Sequence, residues 1–183
     1  MNNFYAATET LTTTVQPITE PITVAELKDA IGISHSNQDA ELGRKITAAR
    51  QFAENRTRRH FVQRTIQLLL DRFPPGREAI TFPVAPISSI TSIYYIDQAG
   101  DSTEWSSDDW ATDLASEPAF LYPIYGETYP TTQAIYRAVT ITATSGYATV
   151  PENCKALVLA YATALFHGLE LSSVEPMARG LLW

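Results

Sequence analysis

Three histidines, one cysteine and a group of aspartates are the residues of this 183-residue chain that could do chemistry, and their spacing is the first thing to weigh. His35, His60 and His167 lie far apart, none at metal-ligand spacing from another His, Cys or carboxylate, so they read as surface or helix-end histidines. Cys154 stands near the start of a helical segment, where a helix dipole lowers a thiol pKa. No base and orienter are recognisable around it, so it reads as a small core residue. Asp108, Asp109 and Asp113 could form a carboxylate pair or a cation loop, but they lack the glycine and spaced ligands of a calcium loop and read as a solvated turn. No glycine-rich phosphate loop occurs, and Ser88-Ser89 and Ser172-Ser173 read as turn residues. No catalytic residue, metal site or cofactor is expected, and the chain reads as a non-enzyme.

Charge says more than any motif. Thirteen Lys and Arg against 20 Asp and Glu give a net charge of -7. That disfavours a general, charge-driven grip on duplex DNA or an anionic membrane. The charges are unevenly distributed. Arg44, Lys45, Arg50, Arg56, Arg58, Arg59, Arg64, Arg72 and Arg77 meet only Glu54 and Asp71 between positions 44 and 77, a local balance of +7. From Glu78 to Tyr136 there are nine acids and no Lys or Arg. Three readings fit: solvated helix ends and loops; a nucleic-acid surface on Arg56, Arg58, Arg59 and His60; or head-to-tail self-assembly in which a basic face meets an acidic one. The third is preferred. Its interface candidates are Arg44, Arg50, Arg56, Arg58 and Arg59 on one side and Asp108, Asp109 and Asp113 on the other.

The elements that must carry these residues follow from periodicity. Thr23 and Glu26 make a capping box, with Ile22 placed to staple onto Leu27, which predicts a helix from Val24 to Ile31 stopped by Gly32. Ser36 and Asp39 open a second helix reaching Thr57 through Leu42, Ile46, Ala49, Phe52 and Ala53. Alternation from Ile66 to Leu70, the Pro74-Pro75-Gly76 turn and a return over Ala79–Phe82 predict a hairpin. Strands follow at Ile87–Ile96 and Ala138–Ser145, with weaker ones at Trp105–Asp113 and Ala119–Tyr122. A last helix runs from Pro151 to Glu170. The fold class is α+β: a mainly helical body of two N-terminal helices and a long C-terminal helix, with an inserted antiparallel β block.

The domain reading is a flexible or partner-ordered arm over 1–20, a single domain over 21–171 with its β block at about 62–146, and a tail over 172–183. The N-terminus has neither the basic nor the apolar region of a signal peptide. No run approaches the roughly 20 apolar residues of a membrane span, so a cytoplasmic, membrane-free protein is expected. A single cysteine excludes an internal disulfide framework.

Taken in order, several local pieces resemble the head-tail connector, or adaptor, proteins of long-tailed bacteriophages and gene transfer agents. They are Ile22-Thr23-Val24-Ala25-Glu26-Leu27-Lys28, the Ala48-Ala49-Arg50 to Arg56-Thr57 helix end leading into Arg59-His60-Phe61-Val62, and Leu70-Asp71-Arg72-Phe73-Pro74. Phe82-Pro83 to Ile93, Tyr125-Gly126-Glu127-Thr128-Tyr129-Pro130, and Thr144-Ser145-Gly146-Tyr147 before Val150-Pro151 complete the set. The resemblance spans roughly residues 20–170. It implies a structural virion part without catalytic residues: a homo-oligomeric ring, commonly of twelve copies, at the head-tail junction. Such a ring is assembled in the host cytoplasm beneath the portal protein and carries a stopper or tail-completion protein on its far side. DNA would pass through without specific binding. An extended tail engages the portal in such proteins, which makes Leu181, Leu182 and Trp183 the portal-docking candidates. A stand-alone nucleic-acid-binding protein using segment 44–77, and a tail-terminator or stopper of the same neck, are the alternatives.

Overall fold

A computed structural model describes residues 9–181. By its contacts the chain divides into two compact units, one of residues up to 16 together with 64–145, the other of 17–63 together with 146 onward. All strands fall in the first unit and all helices in the second, so the architecture is α+β as expected.

The helical unit begins with α1 (Val24–Ile31), whose capping box is formed as the sequence predicts. Glu26 N–H donates to Thr23 Oγ1 at 3.1 Å and Thr23 N–H to Glu26 Oε2 at 2.6 Å. Gly32 stops the helix in the left-handed conformation, φ 73°, which only glycine adopts without a Cβ penalty. Helix α2 (Asp39–Thr57) starts three residues after Ser36, because Ser36 closes a turn through its carbonyl instead of capping. Helix α3 (Glu152–His167) ends before the expected Glu170, at a left-handed Gly168. The segment after it is expected to be an extended tail. Instead a 3-10 turn over Leu171–Val174 leads into α4 (Glu175–Arg179), and Val174, Ala178 and Leu181 join the core of α1, α2 and α3. Leu27, Leu42, Ile46, Leu157, Val158 and Tyr161 are its fully enclosed centre, each large apolar side chain contributing about 1.5–3 kcal/mol of burial.

The other unit holds two antiparallel sheets. The larger has the order β1-β2-β8-β4-β5, built from β1 (Glu9–Val15), β2 (Arg64–Leu70), β4 (Ile87–Ile96), β5 (Ser102–Glu104) and β8 (Val139–Ser145). The smaller has the order β3-β7-β6, from β3 (Ile80–Thr81), β6 (Trp110–Asp113) and β7 (Phe120–Pro123). Strands β2 and β8 bury alternate residues, Ile66, Leu68 and Leu70 against Val139, Ile141 and Ala143, as a half-covered antiparallel sheet requires.

Two expectations are corrected here. The 66–70/79–82 hairpin does not form: β2 has β1 on one side (Glu9↔Leu70) and β8 on the other (Arg64↔Ser145), so Ile80 pairs with Leu121 in the second sheet. The Thr-rich segment is no free arm over the described residues 9–15, where it is strand β1. Threonine is a good strand former even where apolar content is low, and of this strand's residues Leu11 packs against the sheet core.

Candidate assembly surfaces

The basic residues singled out by spacing meet different fates. Arg50 is 4% exposed. Its Nε donates to Glu20 Oε2 at 2.7 Å and its Nη1 to Glu54 Oε2 at 2.9 Å. Burial works against the Arg50 charge, but these two carboxylates outweigh it and hold its pKa up. The other oxygen of Glu54 accepts the Phe61 N–H at 2.8 Å. Arg59 is 8% exposed, with Nε on the Leu181 carbonyl at 2.7 Å and Nη1 on Tyr147 Oη at 3.0 Å. Both guanidiniums therefore tie segments of the helical unit together and leave the exposed basic set. Arg56 donates from Nε to both Glu175 oxygens, at 2.9 and 2.7 Å. Arg44 and Arg58 are exposed. Arg58 sits one residue past α2 in the left-handed conformation, φ 54°, its N–H on the Glu54 carbonyl.

Segment 44–77 is also divided. Arg44 to Arg59 belong to the helical unit, whereas Arg64, Arg72 and Arg77 belong to the sheet unit. Counted by unit, the helical one carries nine bases and nine acids, the sheet one four bases and eleven acids. The whole net charge of -7 thus lies in the sheet unit.

Asp108 and Asp109 sit on a turn of that unit, and Asp113 is the last residue of β6. Asp108 is exposed and Asp109 half-buried, the latter's carbonyl accepting the Ile124 N–H at 3.1 Å. Asp113 accepts from Ser116 Oγ at 2.6 Å, Ser116 N–H at 3.0 Å and Ala115 N–H at 3.1 Å. The Ser116 bonds hold its carboxyl below the ordinary range. Asp97 organises the β4–β5 turn likewise, and the Asp101 N–H is the chief cause of its lowered pKa.

Spacing did not find two exposed tyrosines. Tyr125 is 94% exposed on a loop held by Arg77, whose Nη2 donates to the Ile124 carbonyl at 2.6 Å and whose guanidinium lies 5.8 Å from the Tyr125 ring centroid. Tyr136 is 86% exposed beside a depression of about 500 Å³ lined by Asp71, Arg72 and residues 132–136. The run from Tyr125 to Pro130, rich in turn residues between strands, was the available signal.

Candidate chemistry is thin. Among the described residues no group of three or more His, Cys, Asp or Glu could hold a metal ion, and no helix is long and apolar enough to cross a membrane. Cys154 is buried, which pushes its thiol up to about 11 against a smaller opposing effect of Arg59. Burial, not the helix dipole, sets its state. Leu181, the first portal-docking candidate, is 9% exposed and packs in the helical core, while Leu182 and Trp183 lie outside the described residues.

Comparison with known proteins adds a family and a fold. Residues 21–112 match the family described as phage gp6-like head-tail connector protein. The fold is similar to that of a chain in the neck of an empty gene transfer agent (GTA) particle computed with C6 symmetry, at 20% identity and a TM-score of 0.78, over 94% of this chain and 95% of that one. A chain from the virion of a native GTA particle is 21% identical, TM-score 0.73, over 92% and 95%. One from the neck of a native GTA particle computed with C12 symmetry is 22% identical, TM-score 0.69, over 92% and 94%. No curated protein matches the chain.

Proposed function

The chain belongs to the family of phage gp6-like head-tail connector proteins, and on that premise we propose that it forms a ring joining the portal of a DNA-filled head to the next neck or tail component. The coarser statement needs no proposal: this is a structural protein of a head-tail connector family, not an enzyme family. Its place in the finished particle is the head-tail junction, after assembly in the host cytoplasm. Twelve is the copy number we favour, since one of the similar chains comes from a neck computed with C12 symmetry.

The observation that carries the ring is the division of charge, a neutral helical unit and a sheet unit holding the entire -7. A head-to-tail contact uses two different surfaces of one protomer and can close into a ring. Arg44 and Arg58 are its exposed basic candidates and Asp108 and Asp109 its acidic ones. Acidic turns that face the channel would repel DNA and let it pass without adhering. The stand-alone nucleic-acid reading loses support, because Arg50 and Arg59 are buried and Arg56 is paired.

Images of the purified protein with and without the portal protein test this: rings seated on the portal are expected. Light scattering should show assembly weakening as salt rises. A monomer in both preparations, indifferent to ionic strength, would overturn the reading. For the tail, truncation after Leu181 is the informative cut, since it keeps the packed Ala178 and Leu181. Loss of portal docking by that variant would assign Leu182 and Trp183 to the partner, and unchanged docking would remove them.

A further inference from the structure

Building on that ring, we propose that successive protomers are joined by strand addition: β1 of one copy lies along the open edge of β4 in the next. The claim deepens the ring reading by naming its contact.

Two open edges bound the five-stranded sheet. On one side β1 is paired with β2, and among the described residues no strand pairs with its other edge. On the other side β5 covers only Tyr94–Ile96 of β4, and the Trp105 N–H on the Ile93 carbonyl at 2.8 Å is the next bond along that edge. Ile87–Ser92 then has β8 on one side and no described strand on the other. Ser88, Ser89 and Thr91 on this stretch are exposed. A concavity of about 370 Å³ opens there, with Thr91, Ser92 and Ile93 on one wall and Ser106, Ser107 and Trp110 among the rest of its lining.

The occupant that fits is β1 of a second copy. Strand β1 is seven residues long, Glu9–Val15, against a six-residue open run on β4. It carries one charge, Glu9, and none of the Lys or Pro residues by which edge strands are ordinarily blunted. Its Thr10, Thr12 and Thr14 would face a Ser- and Thr-rich strand, and hydroxyl pairs of this kind are favourable across antiparallel neighbours. The two edges are different surfaces of one sheet. Their contact is therefore heterologous, the type that builds rings, unlike a symmetric β1–β1 pairing, which stops at a dimer.

Paired cysteines test it in assembled protein. Thr12→Cys and Thr91→Cys are prepared separately, mixed, assembled with the portal protein, oxidised and run without reductant, with Thr14→Cys and Thr91→Cys as a second register; wild type is imaged in parallel. Cys154 is buried and its thiol is pushed up, so it stays silent. Expected is a disulfide-linked dimer in the mixture only, and a ladder rising toward the ring in the Thr12→Cys/Thr91→Cys double variant. Wild-type rings with no cross-link at either register overturn strand addition and leave the ring reading standing. Cross-linking of Thr12→Cys to itself also overturns it, because that marks a symmetric contact. Wild type that never forms rings overturns both readings. As a further arm, Thr91→Lys should raise the concentration needed for ring formation about ten-fold or more at unchanged thermal stability, and no change would overturn the inference.

Discussion

In the helical unit nine bases meet nine acids, and its central ones are enclosed as a network: Arg50 between Glu20 and Glu54, and Arg59 on Leu181 and Tyr147. The sheet unit has eleven acids for four bases, and it sets Asp97 and Asp108 on turns and Asp113 at the end of β6. One unit uses charge to hold itself together, while the other displays it. Equal-looking clusters in a sequence thus differ in kind, and for an assembling protein the displayed set is the one that can meet a neighbour.

Removing Glu54 should break the comparison hardest. Glu54→Ala leaves the Arg50 guanidinium short of one carboxylate and the Phe61 N–H without its acceptor. Loss of one partner of a buried pair costs about 3–5 kcal/mol, read as a lowered midpoint of urea unfolding. Asp108→Ala, exposed on its turn, should change protomer stability by less than about 0.5 kcal/mol yet weaken assembly. Gly146→Ala ranks close to the first. Its φ is 103° and a Cβ would lie 2.4 Å from the Val62 carbonyl oxygen, so a loss of about 3 kcal/mol or more is expected on the same measurement.

Acid should separate the units more gently. The carboxyls of Asp97 and Asp113 are held below their ordinary value by turn hydrogen bonds. A depressed folded pKa adds stability that is complete above the unfolded value, about 3.9, and is lost as pH falls through the lower folded one. Sheet-unit amides should therefore lose exchange protection below about pH 4. Asp97→Asn should flatten that dependence near the β4–β5 turn and leave helical-unit amides unchanged.

What could be read from sequence was local. The Thr23–Glu26 box, the Gly32 stop, and strands Ile87–Ile96 and Val139–Ser145 announce themselves within a few residues. What could not be read was who pairs with whom. Leu70 meets Glu9 across the chain and Ile80 meets Leu121, so the proline turn between Leu70 and Ile80 suggested a hairpin that long-range pairing overrides. Burial of charge was equally hidden. Arg50 and Arg59 look like Arg44 and Arg58 in a sequence, and only the carboxylates of Glu20 and Glu54 and the carbonyl of Leu181, brought in from elsewhere, turn the first pair inward. Exposed Arg44 and Arg58 were legible as candidates, while the open β4 edge beside Trp110 needed the sheet order to be seen.

A small stability effect is expected at Arg58, and its sign is the informative part. Arg58 closes α2 in the left-handed conformation, where its Cβ is a penalty that glycine escapes. Gly32 and Gly168 occupy the equivalent positions after α1 and α3. Arg58→Gly should therefore stabilise the protomer, by about 0.5–1 kcal/mol, raising its melting temperature slightly. If the exposed guanidinium meets an acidic turn of the next copy, the same change should weaken ring formation and flatten its salt dependence. A strained residue kept at an exposed helix end points to a use for the side chain. Stabilisation with assembly unchanged would place the basic side of the contact elsewhere, with Arg44 next to be substituted.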